Sequence, residues 1–198
     1  MKIDARLQKL IKLAEDSALL RKATVEKLGE EIIDLAAIIS GVIGSGGKLL
    51  LAGNGGSAAD ASHFAGEMIV RLSPERNRQS LPAISLNTDA TILTAAANDY
   101  GFENIFVRQV EGLGQKGDML LVISTSGNSP NLLKAVQTAK TRKMLTSGLL
   151  GSGGGKLAKM VDRALIVPHP STQRVQEEHI FIIHTLVELI EGDLLNGR

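Results

Sequence analysis

The stretch GNGGSAADASHFAGE, residues 53–67, gathers glycines, a hydroxyl, an imidazole and a carboxylate into one short segment. Gly53, Asn54, Gly55, Gly56 and Ser57 follow an apolar run and precede an amphipathic one, so they read as a strand-to-helix turn. Glycines let the backbone approach an anion, and the free amides at a helix N-terminus favour negative charge. Ser57 is expected as the N-cap. His63 and Glu67 follow at a spacing of four, which stacks them one turn apart on one helix face. An imidazole and a carboxylate so placed can share a metal ion or work together in proton transfer. The plainer alternatives are a capped turn and a surface pair. A dinucleotide fingerprint also fits loosely, with Gly53, Gly55 and Ala58 at G-x-G-x-x-A, but the second apolar run ends Leu86-Asn87 without the acidic residue a ribose needs. No lysine follows the glycines, which excludes a Walker A loop.

Two further segments carry chemistry. Ser124-Thr125-Ser126-Gly127-Asn128-Ser129-Pro130 places four hydroxyls and a glycine ahead of a helix, with the proline suited to its first turn. Hydroxyls with helix amides make a neutral cradle for a phosphate monoester; the alternative is a polar loop capped by Ser129. In QRVQEEHIFIIHTLVELIE, Gln176, Ile180 and His184 recur at spacings of four on an otherwise apolar stripe. His184 alone reads as a core histidine. With His63, Glu67 and Gln176 it completes two imidazoles, a carboxylate and an amide oxygen, a set suited to zinc or a similar divalent ion. His179 lies off the stripe and is read as ordinary, and His169, between two prolines, is left unassigned.

These groups must be positioned by an alternating scaffold. Short apolar runs at 48–53, 81–87, 118–125, 144–151 and 163–168 are separated by helical stretches, the last of them near 172–195, with a short helix expected at 154–161. Buried strands alternating with helices predict a parallel α/β sheet covered on both faces, with its site beyond the strands' carboxyl ends. Ahead of the first strand, residues 4 to about 45 read as helix, with Leu28, Ile32, Leu35, Ile39 and Ile43 on one stripe. We expect two long helices there, burying their stripes against the sheet or another subunit.

Composition narrows the class. The 198 residues suit one domain, 1–198, with helices at 1–45 and an α/β core at 48–198; 43% apolar and 22% charged content is ordinary for a globular chain. The net charge of +1 gives no electrostatic case for nucleic acid, and the cluster Arg71, Arg76 and Arg78 reads as solvated surface. With no cysteine there are no thiolate ligands or disulfides, which fits a reducing cytosol. The charged segment MKIDARLQKLIKLAED does not read as a signal h-region, and no apolar run reaches the ~20 residues of a membrane span. A cytoplasmic protein with no membrane partner is expected.

The segments GNGGSAADASHFAGE, SLPAISLNTD, TAAANDYGFENIFVRQV, GDMLLVISTSGNSPN and RVQEEHIFIIH together resemble the phosphoheptose isomerases of the sugar-isomerase (SIS) superfamily, over most of residues 48–195. The resemblance implies an SIS-type three-layer α/β fold, a five-stranded parallel sheet flanked by helices with two N-terminal helices, assembled as a homotetramer. It implies that Asn54, Gly55, Gly56, Ser57, Glu67, Asn98, Asp99, Ser124, Thr125, Ser126, Ser129 and Gln176 contact a sugar-phosphate substrate. It further implies one zinc ion per subunit on His63, Glu67, Gln176 and His184, with Glu67 and His184 as the catalytic acid–base pair. The implied reaction is an aldose–ketose isomerisation of sedoheptulose 7-phosphate that serves heptose and lipopolysaccharide synthesis. The segment 148–159 departs slightly from the family pattern and is expected far from the site, while 73–80 is undiagnostic. The competing reading is a non-catalytic SIS adaptor of the replication-initiator-associating type. The resemblance implies that such adaptors lack the acid–base pair, whereas Glu67 and His184 are both present here.

Overall fold

The computed structural model of the chain describes residues 4–196; positions 1–3 and 197–198 of the expected domain lie outside the described residues. Five strands, β1 (Leu49–Gly53), β2 (Ala83–Ser85), β3 (Met119–Ser124), β4 (Leu145–Leu150) and β5 (Arg163–Ile166), form one sheet in the order β2-β1-β3-β4-β5. Every pairing is parallel, with Leu49 beside both Ala83 and Met119. Each strand falls inside one of the apolar runs. Parallel strands covered on both faces need continuous apolar sequence, and β1 and β3 are buried at every position.

Alternate strand residues feed two cores, as the two-residue period of a strand requires. Leu49, Leu51, Met119, Leu121 and Ile123 pack under α1 (Ala5–Gly44), α2 (Gly56–Ile69) and α6 (Thr172–Asn196). Leu50, Ala52, Leu120 and Val122 pack under α3 (Ala90–Tyr100), α4 (Ile105–Leu113) and α5 (Pro130–Thr141). This is the expected three-layer α/β fold. Among the described residues no helix is long and apolar enough to cross a membrane.

The structure changes two local expectations. The N-terminal region is one helix of 40 residues rather than two, about 60 Å long at 1.5 Å per residue. No proline interrupts it, and Gly29 sits in an open part of the helix where the backbone stays regular. Asp4 caps it by accepting from the Arg6 amide. Its contribution to the core begins only at Leu20; Leu7, Leu10, Ile11 and Leu13 stand exposed on its first turns. The short helix expected at 154–161 is instead two 3-10 turns, Ser152–Gly154 and Leu157–Lys159. Three successive glycines, Gly153, Gly154 and Gly155, all at positive φ, prevent an α-helical start there.

Candidate active site

The strand order places a topological switch between β1 and β3, because β1 connects outward to β2 and the chain then crosses back to β3. Crevices form beyond the carboxyl ends of strands at such a point. The loops that follow β1 and β3 are the two glycine- and hydroxyl-rich segments. Gly55, not Ser57, takes the N-cap position of α2, at φ 57° and ψ −123°, a conformation that suits glycine. Ser57 therefore lies inside the first turn and is buried. Across the crevice, Ser129 is the N-cap of α5 and Pro130 opens its first turn, as expected.

Within the second loop the buried Ser124 hydroxyl accepts from the Gly127 amide at 3.0 Å, and Ser126 Oγ accepts from the Asn128 amide at 3.3 Å. Thr125 is half-buried and Ser126 exposed. Gly127, at φ 63°, touches the Gly154 carbonyl so closely that no Cβ fits. Lys156 N donates to Asn128 Oδ1 at 3.1 Å, and Leu157 N to the Gly127 carbonyl at 2.9 Å. The segment 148–159, expected far from the site, is thus the backing of the hydroxyl loop. Its glycines are small because the two loops stack backbone to backbone.

The helical residues meet along the seam between α2 and α6. A side chain at Gly56 would collide with the Gln176 amide, so Gln176 covers the first turn of α2. Seven residues on along α2 (56 to 63) and eight along α6 (176 to 184), His63 Nε2 and His184 Nε2 stand 2.7 Å apart. The two helices therefore rise side by side. His63 Nε2 is also 3.8 Å from Glu67 Oε1, so one imidazole sits between the carboxylate and the second imidazole. Asp60, a turn before His63, is buried with one carboxylate oxygen unpartnered. Burial pushes its pKa up to about 6, against a smaller opposing pull from His63.

The donor chemistry of this cluster fits a divalent ion. His63 and His184 would offer imidazole nitrogens and Glu67 a carboxylate oxygen, donors of the kind zinc takes. As the side chains lie, no group of three or more His, Cys, Asp or Glu among the described residues is arranged as a metal site. Gln176 is turned toward Gly56 instead. Asn98 and Asp99 are not drawn in either: they are exposed near the end of α3, where Asn98 Nδ2 donates to Asp99 Oδ1 at 2.8 Å.

Residues 13–151 match the family model described as SIS domain. The chain is 49% identical over 177 residues to a phosphoheptose isomerase of Chlorobaculum parvum, covering 89% of this chain and 85% of that one. Solved phosphoheptose isomerases superpose along nearly the whole chain. The one from Francisella tularensis gives a TM-score of 0.90 at 37% identity, covering 96% of this chain and 100% of that one. The one from Neisseria gonorrhoeae gives 0.88 at 40% identity, covering 95% and 100%. The chain belongs to the phosphoheptose isomerase family of SIS-domain proteins. It is an isomerase by that membership, and the adaptor reading is not favoured.

Some site-forming residues escaped the sequence reading. Asn87 and Asn131 pair with the turn after β1. Their signal was a polar side chain at a strand's carboxyl end and in a helix's first turn. Arg78, read as solvated, has a side chain only 2% exposed, donating to the Glu67 and Met68 carbonyls and to Glu191. An arginine within a charged, polar linker gives no sign of such burial.

Proposed function

We propose that the protein interconverts sedoheptulose 7-phosphate and D-glycero-D-manno-heptose 7-phosphate, feeding heptose for surface carbohydrate such as lipopolysaccharide. The observation that carries this reading is the meeting of Glu67, His63 and His184 along the seam of α2 and α6, on the same helix that the glycine-rich loop after β1 opens. In the ketose-to-aldose direction a proton leaves C1 and returns to C2, while O1 loses a proton and O2 gains one. Glu67 is suited to carry the carbon-bound proton through an ene-diol, and His184 to move protons at the oxygens. The hydroxyls of Ser124, Thr125, Ser126 and Ser129 and the amides of α2 and α5 would hold the distant phosphate. Binding there positions the reacting end. Asn54, Gly55, Gly56, Ser57 and Gln176 would line the sugar between them.

Zinc would be held by His63, Glu67 and His184, with Gln176 turning inward from Gly56. When bound it would polarise the carbonyl oxygen. The exposed Leu7, Leu10, Ile11 and Leu13 support a homotetramer in which the first turns of α1 pack on neighbouring copies. The net charge of +1 and the absence of a spanning helix among the described residues support a cytoplasmic enzyme without nucleic-acid partners.

Glu67→Gln tests the assignment. The amide keeps the shape but cannot take the carbon proton, so turnover of sedoheptulose 7-phosphate should drop by ~10²–10⁴ with the fold unchanged. Activity within tenfold of wild type would remove Glu67 as the base.

A further inference from the structure

The turn after β1 is fixed by side chains of two other strands' loops. On the β2 side, Gly53 N donates to Asn87 Oδ1 at 3.1 Å and Asn87 Nδ2 donates back to the Gly53 carbonyl at 2.9 Å. On the β3 side, Asn54 Nδ2 donates to Asn131 Oδ1 and Asn131 Nδ2 donates to Asn54 Oδ1, both at 2.9 Å. The amides thus run from β2 through β1 to β3, across the switch point itself.

Asn131 is the anchored end of this run. It is the second residue of α5 and only 2% exposed. Its Oδ1 also accepts from the Leu132 amide at 3.0 Å, a donor whose direction the helix sets. That contact decides which end of the Asn131 amide is oxygen, and the reciprocal pair then decides the orientation of Asn54. An amide offers two donors and two lone pairs. Asn54 therefore keeps one N–H and one lone pair, the complement of a hydroxyl that both donates and accepts. Asn54 and Asn131 line a cavity of about 330 Å³ with Ser129, and Asn54 with Asn87 a second of about 300 Å³.

We infer that Asn131 is a positioning residue of the isomerase site: by its reciprocal amide pair it holds Asn54 in the orientation that meets a sugar hydroxyl. This rests on the reading of Asn54 as a substrate contact. The glycines around Asn54 offer no side chain to hold the turn, so an external clasp is needed. A buried amide is costly unless its bonds are made, and an apolar side chain at 131 would fill the space without that cost. A purely structural amide would affect stability alone. A positioning amide affects turnover through Asn54.

The test measures kcat and KM on sedoheptulose 7-phosphate, with thermal midpoints, for the full chain. The variants are Asn131→Asp, Asn131→Ala, Asn54→Ala and Asn54→Ala combined with each change at 131. Asn131→Asp still accepts from Asn54 and Leu132 but cannot donate to Asn54 Oδ1. Its charge lies in the first turn of α5, where the helix dipole tolerates it. A misplacement of this kind costs up to about a hundredfold. We expect kcat/KM to fall tenfold to a hundredfold in both Asn131 variants, with Asn131→Asp keeping a near-native midpoint. Asn54→Ala should fall as far, and the double variants no further, because the two residues act as one unit. If Asn54→Ala is impaired while the Asn131 variants match wild type, or if the two losses simply add, the positioning role is wrong and the reading of Asn54 stands. If Asn54→Ala itself matches wild type, that reading fails and takes the inference with it. If both Asn131 variants merely yield less folded protein, with the folded fraction fully active, the residue is structural and the inference is overturned.

Discussion

At the scale of single residues, the hydroxyls of the loop after β3 are not equivalent. Ser124 is buried and spends its oxygen on the Gly127 amide, whereas Ser126 is exposed. Ser126→Ala should therefore raise KM for the phosphorylated sugar with little change in kcat, since a phosphate grip acts on ground and transition states alike. Ser124→Ala should do the same and also lower stability by about 1–3 kcal/mol, because it leaves a loop amide unpartnered. Steady-state kinetics and denaturant titration of the two variants separate these effects. Equal stability loss in both would contradict the burial difference.

At the scale of elements, helix α2, which carries His63 and Glu67, is held at both ends. Gln176 covers its first turn, and the Arg78 guanidinium closes its last by donating to the Glu67 and Met68 carbonyls. The same guanidinium meets Glu191 of α6 at 2.7 Å, with Arg78 2% and Glu191 0% exposed. Removing Arg78 leaves the buried Glu191 carboxylate with only the more distant Arg76 guanidinium, 3.8 Å away. Arg78→Met should cost about 3–5 kcal/mol, and adding Glu191→Gln should recover much of it. Unfolding curves of the single and double variants check this. A single-variant loss under ~1 kcal/mol would show that solvent reaches the pair.

At the scale of the whole molecule, stability should depend on pH through His179. This imidazole belongs to α6 and is wholly buried, with neither ring nitrogen hydrogen-bonded. Burial pushes its pKa down to about 4, against a smaller upward pull from the Leu150 backbone. Between the unfolded value near 6.5 and the folded value, the unfolded chain binds a proton that the native one does not. This stabilisation is complete above pH ~6.5 and is lost as pH falls toward 4, by up to ~1.4 kcal/mol per pH unit. Asp60 acts with the opposite sign: its raised pKa gives stability that is present below its unfolded value of 3.8 and lost as pH rises through about 6. Comparing wild type with His179→Leu isolates the histidine. The stability difference between them should shift by about 2 kcal/mol from pH 7 to 5, with the variant less acid-sensitive. Parallel pH curves would rule the histidine out.

The chain's own order of residues carried the parallel α/β class and the place of all five strands, because strands covered on both faces are drawn from short, mostly apolar runs, continuously so in the buried β1 and β3. It also carried the pairing of His63 with Glu67, since helical spacing alone puts them on one face. The joining of Ala5–Gly44 into one helix was less legible, as the absence of a break is a weak signal against two shorter stripes. What only the tertiary structure decided are the partners far apart in sequence. His63 finds His184 across 121 residues, and Asn54 finds Asn131 across 77. Arg78 reads from sequence as surface and the segment 148–159 as remote, while Gln176 is turned toward Gly56. Each outcome depends on the distance and angle at which two elements pack, and local periodicity holds no information about that.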